Sequence, residues 1–365
     1  QIGGFKILVI MKLLLAMYLI IYSSIGISNN RVKKYYEYIQ QAEMNIVEGN
    51  LITGANYYQK AFQLEIVYLG YDIRNALRLE SELIPDSSRV YWCFRNYVKT
   101  GYTGYTKPSK TFNVFFEQAY WSSIQQMLDT IKTNFNDELT AKLQNVYTLD
   151  QSTRQNVPHE SGISTFSVPR DEMRRIDSTN VVTIIRLLKE YTINQTTVQS
   201  EQLFSVINLI LIHNRGHGEE YQHVNELFKA VKQEVLKGNF DTRMYANAYD
   251  RRYSEVIKKE KPPRDGYYGT ETCFMTDEFF LSKLPDNSKI KKNINKHRKQ
   301  IYLDDYTLEA QKKLFQYKLA EDVSSSHYDF GVFYWAFPPN TKYKDDFFER
   351  VKKSNIKYEI YYKER

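Results

Sequence analysis

From Arg31 onward, apolar and aromatic residues return every three or four positions through "YYEYIQQAEMNIV", pause at Gly49-Asn50, and resume through "ANYYQKAFQLEIVYL". A period near 3.6 gathers such residues on one side of a helix, so the spacing predicts two helices folded back on each other. Small residues sharpen the expectation. Ala42, Gly54 and Ala61 accompany the ring of Tyr58, and Ala76, Ser88 and Trp92 stand 34 residues after Ala42, Gly54 and Tyr58. Two helices approach closely only where the side chains between them are small, so this recurrence restricts the front of the chain to stacked helical hairpins.

A 34-residue offset with small-residue contacts and an aromatic plug resembles the tetratricopeptide repeat over about seventy residues. The start "YYEY" departs from that family's usual Trp-Leu-Gly opening, and generic helical hairpins share the small-residue spacing. After the turn-rich "TGYTGYTKPSKT", a helix is expected from about 113 to 132, then another capped by Asn136 or Asp137. "NVPHESGISTFSVP" is a second break. Beyond it the apolar period runs through "RDEMRRIDSTNVVTIIRLLKEY", "SEQLFSVINLILIHN" and "EEYQHVNELFKAVKQEVLKG", with Gly238 as a stop and Asp241 as the next cap. Only the end changes character, where "FGVFYWAF" and "IKYEIYYK" read as strands. The expected fold is therefore mainly α: a leader at 1–28, tetratricopeptide-like hairpins at 29–135, a helical domain at 136–320, and a two-stranded α/β tail at 321–365.

A chain of 365 residues is long enough for two cores without staples. Its 31 Tyr and 20 Phe suit long helices with aromatic faces. A net charge of +7 on 50 basic and 43 acidic side chains is too diffuse to imply a nucleic-acid partner, and none is expected. Lys12 followed by "LLLAMYLIIYSSIGI" has the layout of a secretory leader, with Met11 as its start and cleavage near Ser28; an uncleaved anchor from Ile7 to Ile27 is the alternative, and would be the chain's one membrane contact. Either way the protein is expected to be exported, to the periplasm or cell surface. In that compartment Cys93 and Cys273 can pair or stay as buried thiols. Neither has a CxxC companion, so no metal and no cofactor is expected.

The stretch from 211 to 252 holds His213, His217 and His223 and closes on Asp250-Arg251. Gly216 and Gly218 interrupt the helix that would place His213 and His217 on one face, which weakens a metal site. His213 ends the most apolar helix, so its ring should sit at the inner rim and require partners. Asp150, Gln151 and Arg154 in "LDQSTR", Asp177 and Asn180 in "DSTN", Tyr245, Asp250 and Arg251 in "YANAYDR", and Tyr268 in "GYYGT" are available. The order and spacing of "DELTAKLQNVYTLDQSTR", "DSTN", "LILIHN", "YANAYDR" and "YYGT" resemble a bacterial domain-of-unknown-function family, number 6624, over roughly 136–285. Members are mostly exported, often behind helical repeats. The resemblance implies an architecture and a polar cluster but no reaction, and this chain has Ile212-His213-Asn214 where members carry Gln-His before an acidic residue.

Two uses of such a cluster compete. In one, His213 is a general base oriented by Asp150 or Asp250, with Gln151, Arg154, Tyr245, Arg251 and Tyr268 contacting a ligand, as in a hydrolytic enzyme. In the other, the same groups tie helices together. The basic run "KIKKNINKHRK" reads as a solvated amphipathic helix. The function expected overall is the binding of a protein or peptide on the concave face of the front helices; the rivals are the hydrolase and a purely structural envelope protein.

Overall fold

The computed structural model describes residues 30–66, 70–84, 86–101, 110–154, 156–157, 165–166, 168–199, 201–216, 222–259, 266–270, 273–275, 279–319, 328, 330, 335–336, 349 and 357–361. Residues 1–28, where a leader is expected, and His217 lie outside them. The described chain is mainly helical. The front is built from α1 (30–47), α2 (Leu51–Phe62), α3 (Gly70–Glu82), α4 (Ser87–Lys99), α5 (Lys110–Phe116) and α6 (Trp121–Asp129). Helix α2 packs on α3 and α4, α3 on α4 and α5, and α4 on α6, the neighbour-to-neighbour stacking of helical hairpins. Gly54 shows why small residues are needed. A Cβ there would meet the Ala42 carbonyl oxygen at 3.1 Å and Ile46 and Leu79 at 3.4 Å. The single helix expected at 113–132 is two, separated at 117–120. Phe94 is packed edge-on by both Phe115 and Trp121, at ring separations of 5.6 and 5.0 Å, one from each piece.

The second bundle comprises α7 (Asp137–Ser152), α8 (Arg170–Glu190), α9 (Glu201–Phe204), α10 (Val206–Asn214), α11 (Gln222–Lys237) and α12 (Thr242–Arg252), which runs on into a π-helical turn at Tyr253–Ile257. Asn136 and Asp241 cap α7 and α12, each side chain accepting from backbone N–H groups two or three residues on. A short hairpin, β1 (Asn156–Val157) with β2 (Thr165–Phe166), interrupts the loop before α8. No described helix is long and apolar enough to cross a membrane.

One apolar core gathers residues from Val32 to Leu128, and it also takes in Tyr328 and Phe330 from near the end of the chain. Another runs from Leu139 to Leu303. The two strands expected as a separate tail form at β5 (Trp335–Ala336) and β6 (Lys357–Tyr361) but do not pair with each other. They flank a hairpin of β3 (Cys273–Met275) and β4 (Phe279–Lys283) in a four-stranded sheet of order β5-β3-β4-β6, β5 parallel to β3 and β6 antiparallel to β4. Two strands alone bury too little to hold together, and the hairpin supplies the missing partners. Helices α13 (Lys289–Lys299) and α14 (Tyr306–Leu319) follow β4. Cys93 is a free thiol within the front core, where burial pushes its pKa up.

Charge matching joins α1 and α3 to α12 and α14. Arg243, 12% exposed, donates to Glu43 at 3.1 Å, Asp72 at 3.0 Å, the Tyr71 hydroxyl at 2.8 Å and the Phe330 carbonyl at 2.8 Å. Tyr35 donates to the other oxygen of Asp72 at 2.7 Å. Lys312 bridges Glu43 and Asp304. Burial raises the pKa of Glu43 despite Lys312 and Arg243 beside it. Tyr36 stacks on Tyr302 at 5.8 Å, and Gln40 donates to the Tyr302 carbonyl at 3.0 Å. These side chains of α1 and α3 are thus occupied by the chain itself.

Candidate functional site

The fourteenth residue of α7, Asp150, meets the end of α10. His213 Nδ1 lies 2.9 Å from Asp150 Oδ1, Arg154 donates to that oxygen at 2.9 Å, and Gln151 donates to Oδ2 at 2.7 Å. The other arm of Arg154 reaches Asp177 of α8 at 2.5 Å. Asp150 is wholly buried, while the His213 side chain is 21% exposed. With Asp150 ionised, Nδ1 carries the proton and Nε2 is left as an acceptor, the tautomer a general base needs. Among the described residues, however, no hydroxyl or thiol bonds His213. The site is a five-residue knot across three helices.

Asp250 does not join it. Both its oxygens are taken by the turn at 266–270: Oδ1 accepts from the backbone N–H of Tyr267 at 2.8 Å and Tyr268 at 2.6 Å, and Oδ2 from the N–H and hydroxyl of Thr270, each at 2.7 Å. Two glycines make this possible. Gly266 and Gly269 sit at φ +68° and +67°, and a Cβ on Gly266 would come within 2.9 Å of Asp250 Oδ2. Burial raises the Asp250 pKa although these four donors favour the ion. The expected convergence of Asp150, His213 and Asp250 is therefore corrected: a carboxylate so fully occupied orients no imidazole. The turn is pinned from behind as well, because Arg298 donates to the Tyr268 carbonyl at 2.8 Å and Lys313 to the Thr270 carbonyl at 2.9 Å. Arg298 and Lys313 share Glu309, and outweigh its burial to hold its pKa at about 2.

Pinning the turn sets Tyr267 and Tyr268 against α12. Tyr267 packs edge-on against Tyr249 at 5.2 Å and against Tyr268 at 4.9 Å. On α12, Tyr245 and Tyr249 stack at 5.8 Å, one turn apart, with Phe228 of α11 beside both. Between α11, α12 and the turn lies a cleft of about 380 Å³, in the size range of ligand sites. Among the described residues its cations are Lys229, Lys232 and Arg252, and no carboxylate lines it. Arg252 is buried, donates to Asn225 at 2.7 Å and to the Arg215 carbonyl at 3.2 Å, and lies over Phe228. Lys229 is exposed and Lys232 half-buried, and neither is in an ion pair among the described residues. The π-helical turn, with Lys258 N–H donating to the Tyr253 carbonyl at 2.8 Å, brings Ile257 into the same wall.

Of the residues expected at a site, Asp150, Gln151, Arg154 and His213 come together, Tyr245 and Tyr268 line the cleft, and Asp250 holds the turn. Arg251 is half-buried next to these and lines none of it. Sequence reasoning missed Phe228, Lys229, Lys232, Tyr249, Arg252 and Tyr267. Their signal was the pattern Asn225, Lys229, Lys232 on one face of α11, facing Tyr245, Tyr249 and Tyr253 at four-residue steps. His223 is exposed and lies 3.6 Å from Glu226. Among the described residues, no group of His, Cys, Asp and Glu is disposed to hold a metal ion.

Fold and cleft together define a mainly α-helical protein with an aromatic, cation-bearing recess. Compared with protein-family models, curated proteins and solved structures, the chain matches none of them.

Proposed function

We propose that this is an exported interaction module that captures a protein or peptide of the periplasm or cell surface in the cleft between α11, α12 and the 266–270 turn. The observation that carries this reading is the cleft's lining. Among the described residues, five aromatic rings and three cations face one recess with no acidic side chain. Lys229 and Lys232, ringed by aromatics and without an acidic partner among the described residues, gain by meeting a ligand, whereas the side chains of the seam between α1, α3, α12 and α14 are already matched. The front hairpins then serve as a mount, since Tyr36, Gln40, Glu43, Tyr71 and Asp72 are engaged with α12, α14 and Tyr302. The buried small residues Ala42, Gly54 and Ala76 support a repeat-like origin for these hairpins.

One observation favours the hydrolytic alternative: the Asp150–His213 bond with a partly exposed ring. Photocrosslinking separates the two readings. A photoreactive residue at 229 is expected to trap an envelope component, and one at 213 is not; trapping from 213 alone would move the function to the dyad.

A further inference from the structure

The cleft also specifies what it should hold. We propose that the recognised element is a short acidic peptide segment carrying one aromatic side chain, its ring entering beside Tyr249 and Tyr267 and its carboxylates meeting Lys229 and Lys232. This rests on the cleft being the binding site. A recess of about 380 Å³ accommodates one large aromatic side chain with a little flanking backbone. The lining rings offer edges at the right places, because Tyr249 and Tyr267 already pack edge-to-face at 5.2 Å and a further ring can continue that pattern.

Charge decides the flanks. Lys229 and Lys232 stand three residues apart on α11, on the cleft side, with no acidic partner among the described residues. The same sign continues on α13, which touches the cleft wall through His297, stacked on Tyr267 at 3.7 Å with the rings 5° from parallel. Lys289, Lys292, Lys296 and Lys299 are all exposed along α13 at three- and four-residue steps, so they share one face, and none is in an ion pair among the described residues. Selection for acidic flanks at the recess therefore falls to Lys229 and Lys232, with the α13 lysines adding positive potential nearby.

A single nucleic-acid strand also combines rings with negative charge. It needs successive open ring faces along a track, however, and here the faces of Tyr245 and Tyr268 are buried against neighbouring rings. One ring-sized recess with a charged approach fits a side-chain anchor better.

The experiment is a fluorescence-anisotropy titration of the full exported chain with a labelled ten-residue peptide in which one Trp is flanked on each side by Asp and Glu. Three comparison ligands accompany it: the same peptide with Trp replaced by Ser, the same with its acids replaced by Lys, and an oligothymidylate of equal charge. The acidic Trp peptide should bind, and each peptide change, like the double variant K229E/K232E, should weaken binding by about tenfold or more, equivalent to about 1.4 kcal/mol. Thermal melting checks that the double variant is folded, and K229Q/K232Q gives a milder second test. Equal binding of the lysine peptide overturns the proposal. Oligothymidylate binding tighter than the peptide, and lost in the double variant, overturns the peptide class yet keeps the cleft as the site. Peptide binding indifferent to both double variants removes the cleft itself.

Discussion

The seam and the cleft are both rich in charge, and they differ in who answers it. In the seam, Arg243 and Lys312 face Glu43, Asp72, Asp241 and Asp304, nearly all of it buried. In the cleft, Lys229 and Lys232 face rings and, among the described residues, no carboxylate. A buried ion must be matched by protein groups, because unmatched it costs several kcal/mol; a half-exposed lysine is matched by water and can exchange that water for a ligand. Buried matching ties elements together, and exposed imbalance leaves room for a partner. The Asp150–His213 knot belongs to the first kind, with one edge open.

The contrast can be broken most forcefully at Arg243. Arg243→Met strands Glu43 and Asp72 without their shared partner and should lower stability by about 3–5 kcal/mol in urea denaturation. K229E/K232E should change it by less than about 0.5 kcal/mol. Similar losses from the two would erase the distinction.

Glu309 sharpens it through pH. Its folded pKa of about 2 lies below the usual carboxylate value, so its contribution is complete above about pH 4.5 and is lost as pH falls through 2. Melting temperatures followed from pH 5 to 2 should show this loss in the native protein and a flatter profile in Glu309→Gln, which should be about 2–3 kcal/mol less stable at pH 7. Parallel profiles would place the acid sensitivity elsewhere.

Asp250→Ala should cost about 2–3 kcal/mol, because three backbone N–H groups and the Thr270 hydroxyl lose a charged acceptor. Unlike Arg243→Met, it should also weaken peptide binding, since it frees Tyr267 and Tyr268. His213→Ala is the mildest of the series, at about 1–2 kcal/mol with ligand binding unchanged. A binding loss without a stability loss would reverse the assignment of the knot.

Much of the helical architecture was legible. The caps at Asn136 and Asp241, the stop at Gly238 and the small residues at 42 and 54 carry local physics that a sequence displays directly. So did the Asp150–His213 meeting, because a polar ring at the end of an apolar helix and a buried-face carboxylate one layer away have few other partners. Asp250 was misjudged because nothing local reveals that "GYYGT", some eighteen residues later, closes on it. The seam was invisible for the same reason: Arg243 pairs across 171 positions with Asp72 and 200 with Glu43. The sheet was misdrawn because "CFM" and "FFLSK" are too short to stand out within a helical run and gain their pairing from strands far along the chain.

Hydrogen exchange measured with and without the acidic Trp peptide would map the bound surface directly. Slowed exchange is predicted in α11, α12 and the 266–270 turn, with α1, α3 and the end of α10 at His213 unchanged. Slowing confined to α1 and α3, or to the ends of α7 and α10, would contradict the assignment of function to the cleft.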